Sequence, residues 1–209
     1  MAHEIRPTAA LIVIDMQNDF LPGGSLAVAS GDAILPGINA LAGKFEHVIL
    51  TQDWHPRGHI SFASSHGKQP FVDSVESPYG VQHLWPDHCV QGTPGAELHP
   101  DLDIPHAELI LRKGFRVGID SYSAFTENDG VTPTGLAGYL RERGLDRLYF
   151  VGVAYDFCVG FSAIAAAKLH FEAVVVEDLS RAVGLPGTVE KTNAEFEIHN
   201  VHRILSSSL

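Results

Sequence analysis

The chain has few basic residues, few cysteines and no long hydrophobic run. It carries 14 lysines and arginines against 25 aspartates and glutamates, so its formal net charge is −11. Nucleic acids and anionic membranes would repel such a surface, and we expect neither as a partner. No stretch is apolar over the roughly 18 residues that a membrane-spanning helix needs. Two cysteines are too few for a disulfide framework.

The remaining composition is typical of one cytoplasmic globular domain. Hydrophobic residues make up 45% of the 209 residues, which is enough to fill a core without help from a metal ion or a disulfide. The amino-terminal segment shows neither the apolar run nor the cleavage pattern of a secretory signal. We therefore expect a soluble, cytoplasmic protein with a single domain over residues 1–209.

Apolar runs that alternate with helical patterns predict an α/β fold. The predicted strands are Ala9–Asp15, His47–Gln52, Glu108–Arg112, Arg147–Val153, Ala173–Glu177 and a short Arg203–Leu205. The predicted helices are Asp32–Phe45, Thr132–Arg143 (with Thr132 as N-cap and Pro133 at the first position), Asp156–His170 and Thr188–Val201. Because strands that alternate with helices form sheets covered on both faces, we predict a three-layer α/β/α fold. Its sheet should be doubly wound and mostly parallel, with helices on both faces.

One segment, residues 53–107, shows no regular pattern. It is rich in glycine, proline, serine and histidine, and seven of the twelve histidines lie between His55 and His106. A loop of this length in a compact domain is usually functional. We interpret it as a long irregular insertion that caps the site and binds a metal ion.

The spacing of Asp53, His55, His59 and His88 is typical of metal ligands. A carboxylate with two or three imidazoles suits Zn²⁺, Fe²⁺ or Mn²⁺. Side chains two residues apart in an extended segment point the same way, so Asp53 and His55 can share an ion. On spacing alone, a polar loop with solvated histidines explains the pattern equally well.

Three further reactive side chains follow predicted strands: Asp15, Lys113 and Cys158. The carboxyl ends of parallel strands share one edge of a sheet, so we expect these side chains to converge there. Amide groups and the dipole at a helix start favour a thiolate at Cys158 and can hold an oxyanion. Each of these residues also has a structural interpretation. Cys158 can be a buried structural cysteine, Asp15 a strand-terminal carboxylate bonded to a loop amide, and Lys113 a surface lysine.

Five ordered motifs carry a resemblance to a known family. They are DMQNDF at 15–20 with PGGSL at 22–26, TQDWHP at 51–56 with HISF at 59–62, WPDHCV at 85–90 with GTPGA at 92–96, KG at 113–114, and GVAYDFCV at 152–159. Together they resemble the isochorismatase-like cysteine hydrolases and, within them, the nicotinamidase/pyrazinamidase branch. The resemblance runs from about Ala9 to the last predicted helix.

The resemblance implies a role for each motif residue. Cys158 would be the nucleophile, Asp15 the general base and acid, and Lys113 the stabiliser of charge. The implied metal ligands are Asp53, His55 and His88, with His59 or water in the fourth position. The implied oxyanion hole is the N–H groups of Ala154 and Cys158, after a cis Val153–Ala154 peptide. The implied substrate contacts are Phe20, Trp85, Val153 and Tyr155.

The implied activity is amide hydrolysis. Nicotinamide would give nicotinate and ammonia through a cysteine thioester, with pyrazinamide as a further substrate and one divalent ion, Zn²⁺ before Fe²⁺ or Mn²⁺, as cofactor. Such an enzyme would serve NAD salvage and pyridine nucleotide biosynthesis, and a homo-oligomer is compatible with the sequence. Two other hypotheses are a small-amide or carbamoyl amidohydrolase of the same fold and a non-catalytic metal-binding α/β module. Tyr155 and Phe157 depart from the branch's usual residues beside the nucleophile, which leaves the fine substrate preference open.

Overall fold

Six parallel strands form the centre of the structure, a computed structural model that describes residues 4–209. The strands of this sheet are β1 (Ala9–Ile14), β2 (His47–Asp53), β5 (Leu109–Lys113), β6 (Arg147–Val153), β7 (Glu172–Arg181) and β8 (His202–Ile204). Their order across the sheet is β5-β2-β1-β6-β7-β8, and every neighbouring pair is parallel. The chain therefore winds outwards in both directions from β1 and β6, as the sequence predicted.

Helices cover both faces of the sheet. The helices are α1 (Leu35–Ala42), α2 (Leu136–Glu142), α3 (Gly160–Lys168) and α4 (Thr188–His199). Along β1, Leu11 and Val13 pack in the core that contains α1, while Ile12 and Ile14 pack in the core that contains α2, α3 and α4. Alternate side chains of a strand point to opposite faces, so a strand covered on both sides must be apolar throughout. The predicted three-layer α/β/α architecture is confirmed.

The irregular segment contains one hairpin that the sequence analysis did not predict. Strands β3 (Ser74–Ser77) and β4 (Gly80–His83) pair antiparallel, apart from the main sheet. Their sequences, SVES and GVQH, are short and mostly polar, so they lack the apolar alternation on which strand prediction depends.

The predicted start of the second helix was wrong. The helix begins at Leu136, after Gly135, and Thr132 does not cap it. Instead, the Thr132 hydroxyl donates to the Asp129 carboxylate at 2.6 Å, and the Thr132 amide donates to the same group at 2.8 Å. Asp129 thus closes a separate turn before the helix.

Three other boundaries differ from the prediction. Strand β7 extends to Arg181, past a register irregularity. The helix expected at Asp156–His170 starts as a π-helical turn at Tyr155–Val159. A 3₁₀ turn at Asp32–Ile34 precedes α1. Among residues 4–209, no helix is both long enough and apolar enough to cross a bilayer.

Candidate active site

The carboxyl ends of four adjacent strands bring the predicted triad together. Asp15 follows β1, Asp53 ends β2, Lys113 ends β5, and Cys158 lies in the turn after β6. Because these strands are neighbours in the order β5-β2-β1-β6, residues far apart in sequence lie side by side. One carboxylate oxygen of each aspartate and the Sγ of Cys158 all lie within 4.8 Å of one another.

Lys113 lies at the centre of this group and is buried, with 1% of its surface exposed. Its Nζ is 2.8 Å from Asp15 Oδ2, 2.5 Å from Asp53 Oδ1 and 3.4 Å from Cys158 Sγ. It also donates to the Ser121 carbonyl at 3.1 Å. Burial alone would lower the pKa of Lys113, but Asp15 and Asp53 outweigh it and raise the pKa well above its ordinary value. The ammonium therefore stays charged.

Asp15 is placed to act as a base toward the thiol. Burial raises the pKa of Asp15 above its ordinary value, although the Lys113 charge opposes that shift. The Thr51 hydroxyl donates to Asp15 Oδ1 at 2.6 Å and holds the carboxylate in place. A carboxylate with a raised pKa, close to a thiol and shielded from water, is suited to accept and return a proton.

The environment of Cys158 differs from the expected thiolate site. Burial raises the pKa of Cys158 well above its ordinary value; Lys113 lowers it, and the charges of Asp15 and Asp53 raise it further. The resting side chain is therefore a neutral thiol. Desolvation and two carboxylates outweigh the Lys113 charge, so nucleophilic attack needs the neighbouring base.

The backbone around Cys158 forms a tight turn. The Val153–Ala154 peptide is cis, as the resemblance implied. The N–H groups of Phe157 and Val159 both donate to the Ala154 carbonyl at 3.0 Å. These bonds place Cys158 near the end of the π-helical turn, just before α3 begins.

Three predicted metal ligands form a buried cluster next to Lys113. Asp53, His55 and His88 each offer a ligand atom within 4.8 Å of the others. His55 Nδ1 donates to the Gly114 carbonyl at 2.8 Å and His88 Nδ1 to the Pro86 carbonyl at 2.7 Å, which leaves both Nε2 atoms free for a ligand.

The charge states of His88 and Asp53 suit a metal ion, whereas the raised pKa of His55 works against binding because a ligand imidazole must be neutral. Burial lowers the pKa of His88 to about 4, so its imidazole is neutral at neutral pH, as metal binding requires. Burial would also lower the pKa of His55, but the Asp53 carboxylate outweighs it and raises that pKa. Lys113 holds the pKa of Asp53 well below its ordinary value against the effect of burial, so Asp53 is ionised. The residues present fit a divalent ion.

His59 lies beside this cluster but is bonded elsewhere. Its ring stacks on His55 with centroids 4.2 Å apart. Its Nδ1 is 2.7 Å from the Ser61 hydroxyl, and its Nε2 donates to the Ile119 carbonyl at 3.1 Å. The three residues whose ligand atoms lie within 4.8 Å of one another and that include His59 are His55, His59 and Asp120. A role as fourth ligand to Asp53, His55 and His88 stays a prediction.

A cavity of about 390 Å³, including the space at its mouth, opens onto the thiol. Its walls are Phe20, Leu26, Asp53, Trp85, His88, Asp120, Tyr122, Ala154, Phe157, Cys158 and Val183. The predicted contacts Phe20 and Trp85 lie in this lining, on the same cavity as Ala154 and Cys158. Its aromatic lining suits a compact planar ring.

Two predicted substrate contacts lie elsewhere. Val153 is buried in the core, and Tyr155 faces α4, where its hydroxyl donates to Asn193 Oδ1 at 2.6 Å and its ring packs against Phe196. The tyrosine that lines the cavity is Tyr122, which sequence reasoning did not identify. It lies in an irregular segment after β5, without a strand-end position or ligand-type spacing to mark it. Phe157 was noted only as a departure from the branch, and it also lines the cavity.

Comparisons with known proteins agree with this geometry. Residues 9–199 match the isochorismatase domain. The nicotinamidase of Acinetobacter baylyi is 55% identical over 201 residues, which cover 96% of this chain and 94% of that protein. The structure of an Acinetobacter baumanii nicotinamidase and pyrazinamidase superposes with a TM-score of 0.95 at 55% identity, over 97% of this chain and 98% of that one. A Pyrococcus horikoshii pyrazinamidase in complex with zinc has a TM-score of 0.77 at 34% identity, over 95% of this chain and 99% of that one. The chain belongs to the isochorismatase family, in its nicotinamidase/pyrazinamidase branch.

Proposed function

We propose that this protein hydrolyses the carboxamide of nicotinamide to nicotinate and ammonia, and that of pyrazinamide in the same way. The observation that carries the proposal is the buried group of Asp15, Lys113 and Cys158 at the floor of a small aromatic cavity. Full-length similarity to a nicotinamidase at 55% identity supports it. A non-catalytic metal-binding module would have no use for a neutral thiol beside a base.

The first half of the reaction forms a thioester. Asp15 takes the thiol proton while Cys158 Sγ attacks the carboxamide carbon. The N–H groups of Ala154 and Cys158 would donate to the resulting oxyanion, and the Lys113 ammonium offsets the negative charge of the thiolate and the carboxylate. Asp15 then returns the proton to the amine, and ammonia leaves.

The second half of the reaction hydrolyses the thioester. Asp15, again ionised, removes a proton from a water molecule, which attacks the acyl carbon. The proton passes back to the departing sulfur, and nicotinate is released. Each half therefore needs Asp15 first as a base and then as an acid.

Asp53, His55 and His88 would hold one divalent ion, with Zn²⁺ as the first choice and Fe²⁺ or Mn²⁺ as alternatives. When bound, the ion would offer an open coordination position to the pyridine nitrogen and so orient the ring. Water or His59 would complete the coordination. Asp53 belongs to both parts of the site, since Oδ1 bonds Lys113 and Oδ2 lies 3.5 Å from His55 Nε2.

The reaction would supply nicotinate for pyridine nucleotide biosynthesis in NAD salvage, and we place it in the cytoplasm.

Ammonia release from nicotinamide by the purified protein, with and without a chelator, tests the proposal. We expect turnover by the metal-loaded protein and a large loss of kcat/KM after chelation. A carbamoyl amidohydrolase of the same fold would share the triad without needing the histidines, so equal activity with chelator would favour it. Absence of ammonia release from the metal-loaded protein would contradict the proposal.

A further inference from the structure

The β3–β4 hairpin reaches the interior of the protein through one strand side chain, Gln82. Of the eight residues in β3 and β4, Gln82 is the one that is buried, at 1% exposure. An amide is stable away from water only when its donors and its acceptor are bonded. The partners of Gln82 therefore indicate its role.

Gln82 bonds to the irregular segment after β5. Its Nε2 lies 2.9 Å from Asp120 Oδ2, 3.3 Å from the Tyr122 hydroxyl and 2.8 Å from the His83 carbonyl. Its Oε1 accepts from the Tyr79 hydroxyl at 3.1 Å. The Oε1 also accepts from Asn128 Nδ2 at 3.4 Å. Both ends of the amide are satisfied, and two of the five partners, Asp120 and Tyr122, line the cavity.

The Tyr122 hydroxyl joins Gln82 to the aromatic wall of the cavity. This hydroxyl also accepts from Trp85 Nε1 at 3.1 Å. The Phe157 ring packs edge-on against Trp85 at 4.9 Å and against Tyr122 at 5.4 Å between centroids. The Tyr122 hydroxyl therefore links the Tyr122 and Trp85 rings, and Gln82 Nε2 contacts the same hydroxyl at 3.3 Å.

We propose that Gln82 is a positioning residue for ring recognition, acting through the Tyr122 hydroxyl on Trp85. It keeps the spacing of the aromatic wall suited to one six-membered ring. Gln82 lies behind this wall and does not touch the triad, so its effect falls on binding rather than on bond making. This inference rests on the proposed hydrolysis of nicotinamide and assigns one determinant of its KM to the hairpin.

The first test is Gln82→Met, which keeps the length of the side chain and removes its amide. We expect KM for nicotinamide to rise about tenfold, the effect of one unsatisfied buried hydrogen bond. We expect kcat to stay within about threefold and the rate of Cys158 alkylation by iodoacetamide, located by mass spectrometry, to stay unchanged. Val81→Met is the matched control, because Val81 is exposed on the opposite face of the same strand; its KM should not change.

A double-mutant cycle with Tyr122→Phe tests the route. If Gln82 acts through the hydroxyl, adding Gln82→Met to Tyr122→Phe should raise KM no further. Any of three outcomes would overturn the proposal: additive effects of the two substitutions on KM, an unchanged KM in Gln82→Met, or parallel losses of kcat and of the alkylation rate. If Gln82→Met does not fold, Gln82→Leu, which also removes the donor to Tyr122 and places no second carboxylate beside Asp120, replaces it in the cycle.

A second readout separates this inference from the proposed function. The chain has two tryptophans, so in a Trp54→Phe background the emission reports Trp85 alone. Gln82→Met should shift that emission, and Tyr122→Phe should remove the sensitivity to Gln82. If the wild type releases no ammonia, the proposed function fails, while the emission cycle still decides whether Gln82 positions the wall. Emission that is insensitive to Gln82 would overturn the inference.

Discussion

At the scale of single residues, the chemistry depends on three buried charges that control one another. Lys113 contacts Asp15 and Asp53 and stays protonated because of them. Asp15 is left with a raised pKa, and Cys158 is left as a neutral thiol. Removing one member of such a group leaves the others unpaired, so conservative replacements are the informative ones.

Cys158→Ala removes the nucleophile and nothing else from the cavity. We expect no measurable turnover, because the remaining residues form no covalent intermediate, and a nicotinamide Kd within a few-fold of the wild-type value. Ammonia release and isothermal titration calorimetry measure the two quantities. A loss of only a few-fold in kcat would remove Cys158 from the nucleophile role.

Asp15→Asn keeps the shape of the side chain and removes the base. We expect kcat to fall by roughly 10²–10⁴-fold, the usual contribution of a positioned acid–base group. Near-normal turnover of this variant at neutral pH would contradict the assignment.

The same residue predicts the pH dependence of the wild type. Asp15 acts as a base only when ionised, and burial raises its pKa above 3.8. The value of kcat/KM should therefore fall as pH decreases through a midpoint above 3.8. The residual activity of Asp15→Asn should lack this acid limb. Measuring the metal content at each pH distinguishes titration of Asp15 from loss of the ion. If the acid limb of the pH profile persists in Asp15→Asn, another group titrates.

At the scale of elements, the turn after β6 positions both the nucleophile and the cavity wall. The Asp156 carboxylate accepts from the Val183 and Gly184 amides at 2.9 Å and from the Thr188 hydroxyl. These bonds hold the segment that brings Val183 into the cavity lining. The turn thus fixes Cys158 and one wall of its pocket together.

Gly152 permits β6 to approach β1 closely at this turn. Its φ is 109°, and a Cβ there would lie 2.2 Å from the Ile14 carbonyl oxygen. We expect Gly152→Ala to lower the free energy of unfolding by about 1–3 kcal/mol from the backbone conformation alone, and to reduce activity. Gly118→Ala is the control, because nothing lies within 4 Å of a Cβ at that position. Urea unfolding measures both, and equal losses would contradict the argument.

At the scale of the whole molecule, the metal cluster lies outside the apolar cores that hold the sheet and helices together. Neither apolar core includes the side chains of His55 and His88, although one core includes Trp85 and Cys89 from the same irregular segment. Binding of the ion should therefore contribute little to the stability of the fold and much to ligand orientation.

Chelation should raise KM for nicotinamide strongly and lower Tm by only a few degrees. His88→Ala should have the same effect, because the two remaining ligands hold divalent ions weakly. Benzamide has the same carboxamide without a ring nitrogen, so it should be a poor substrate of the metal-loaded protein. The measurement is kcat/KM for both amides with and without metal. Equal values with metal bound would assign the ion a structural role.

The sequence by itself determined the order along the chain of the six strands of the main sheet, and the reactive residues at their ends. Both depend on local patterns: apolar runs such as Ala9–Ile14, and motifs in which Asp15, Lys113 and Cys158 stand at fixed positions. Parallel strands share an edge, so the convergence of the triad follows from the fold class alone.

Only the tertiary structure decided which side chains face the cavity. Tyr155 lies in the same turn as the nucleophile, yet its ring packs on α4, while Tyr122 reaches the cavity from a segment with no regular pattern. Gln82 is buried only because the hairpin folds onto that segment. The direction of a side chain in an irregular segment depends on hydrogen bonds between residues far apart in sequence, and no local periodicity records those bonds.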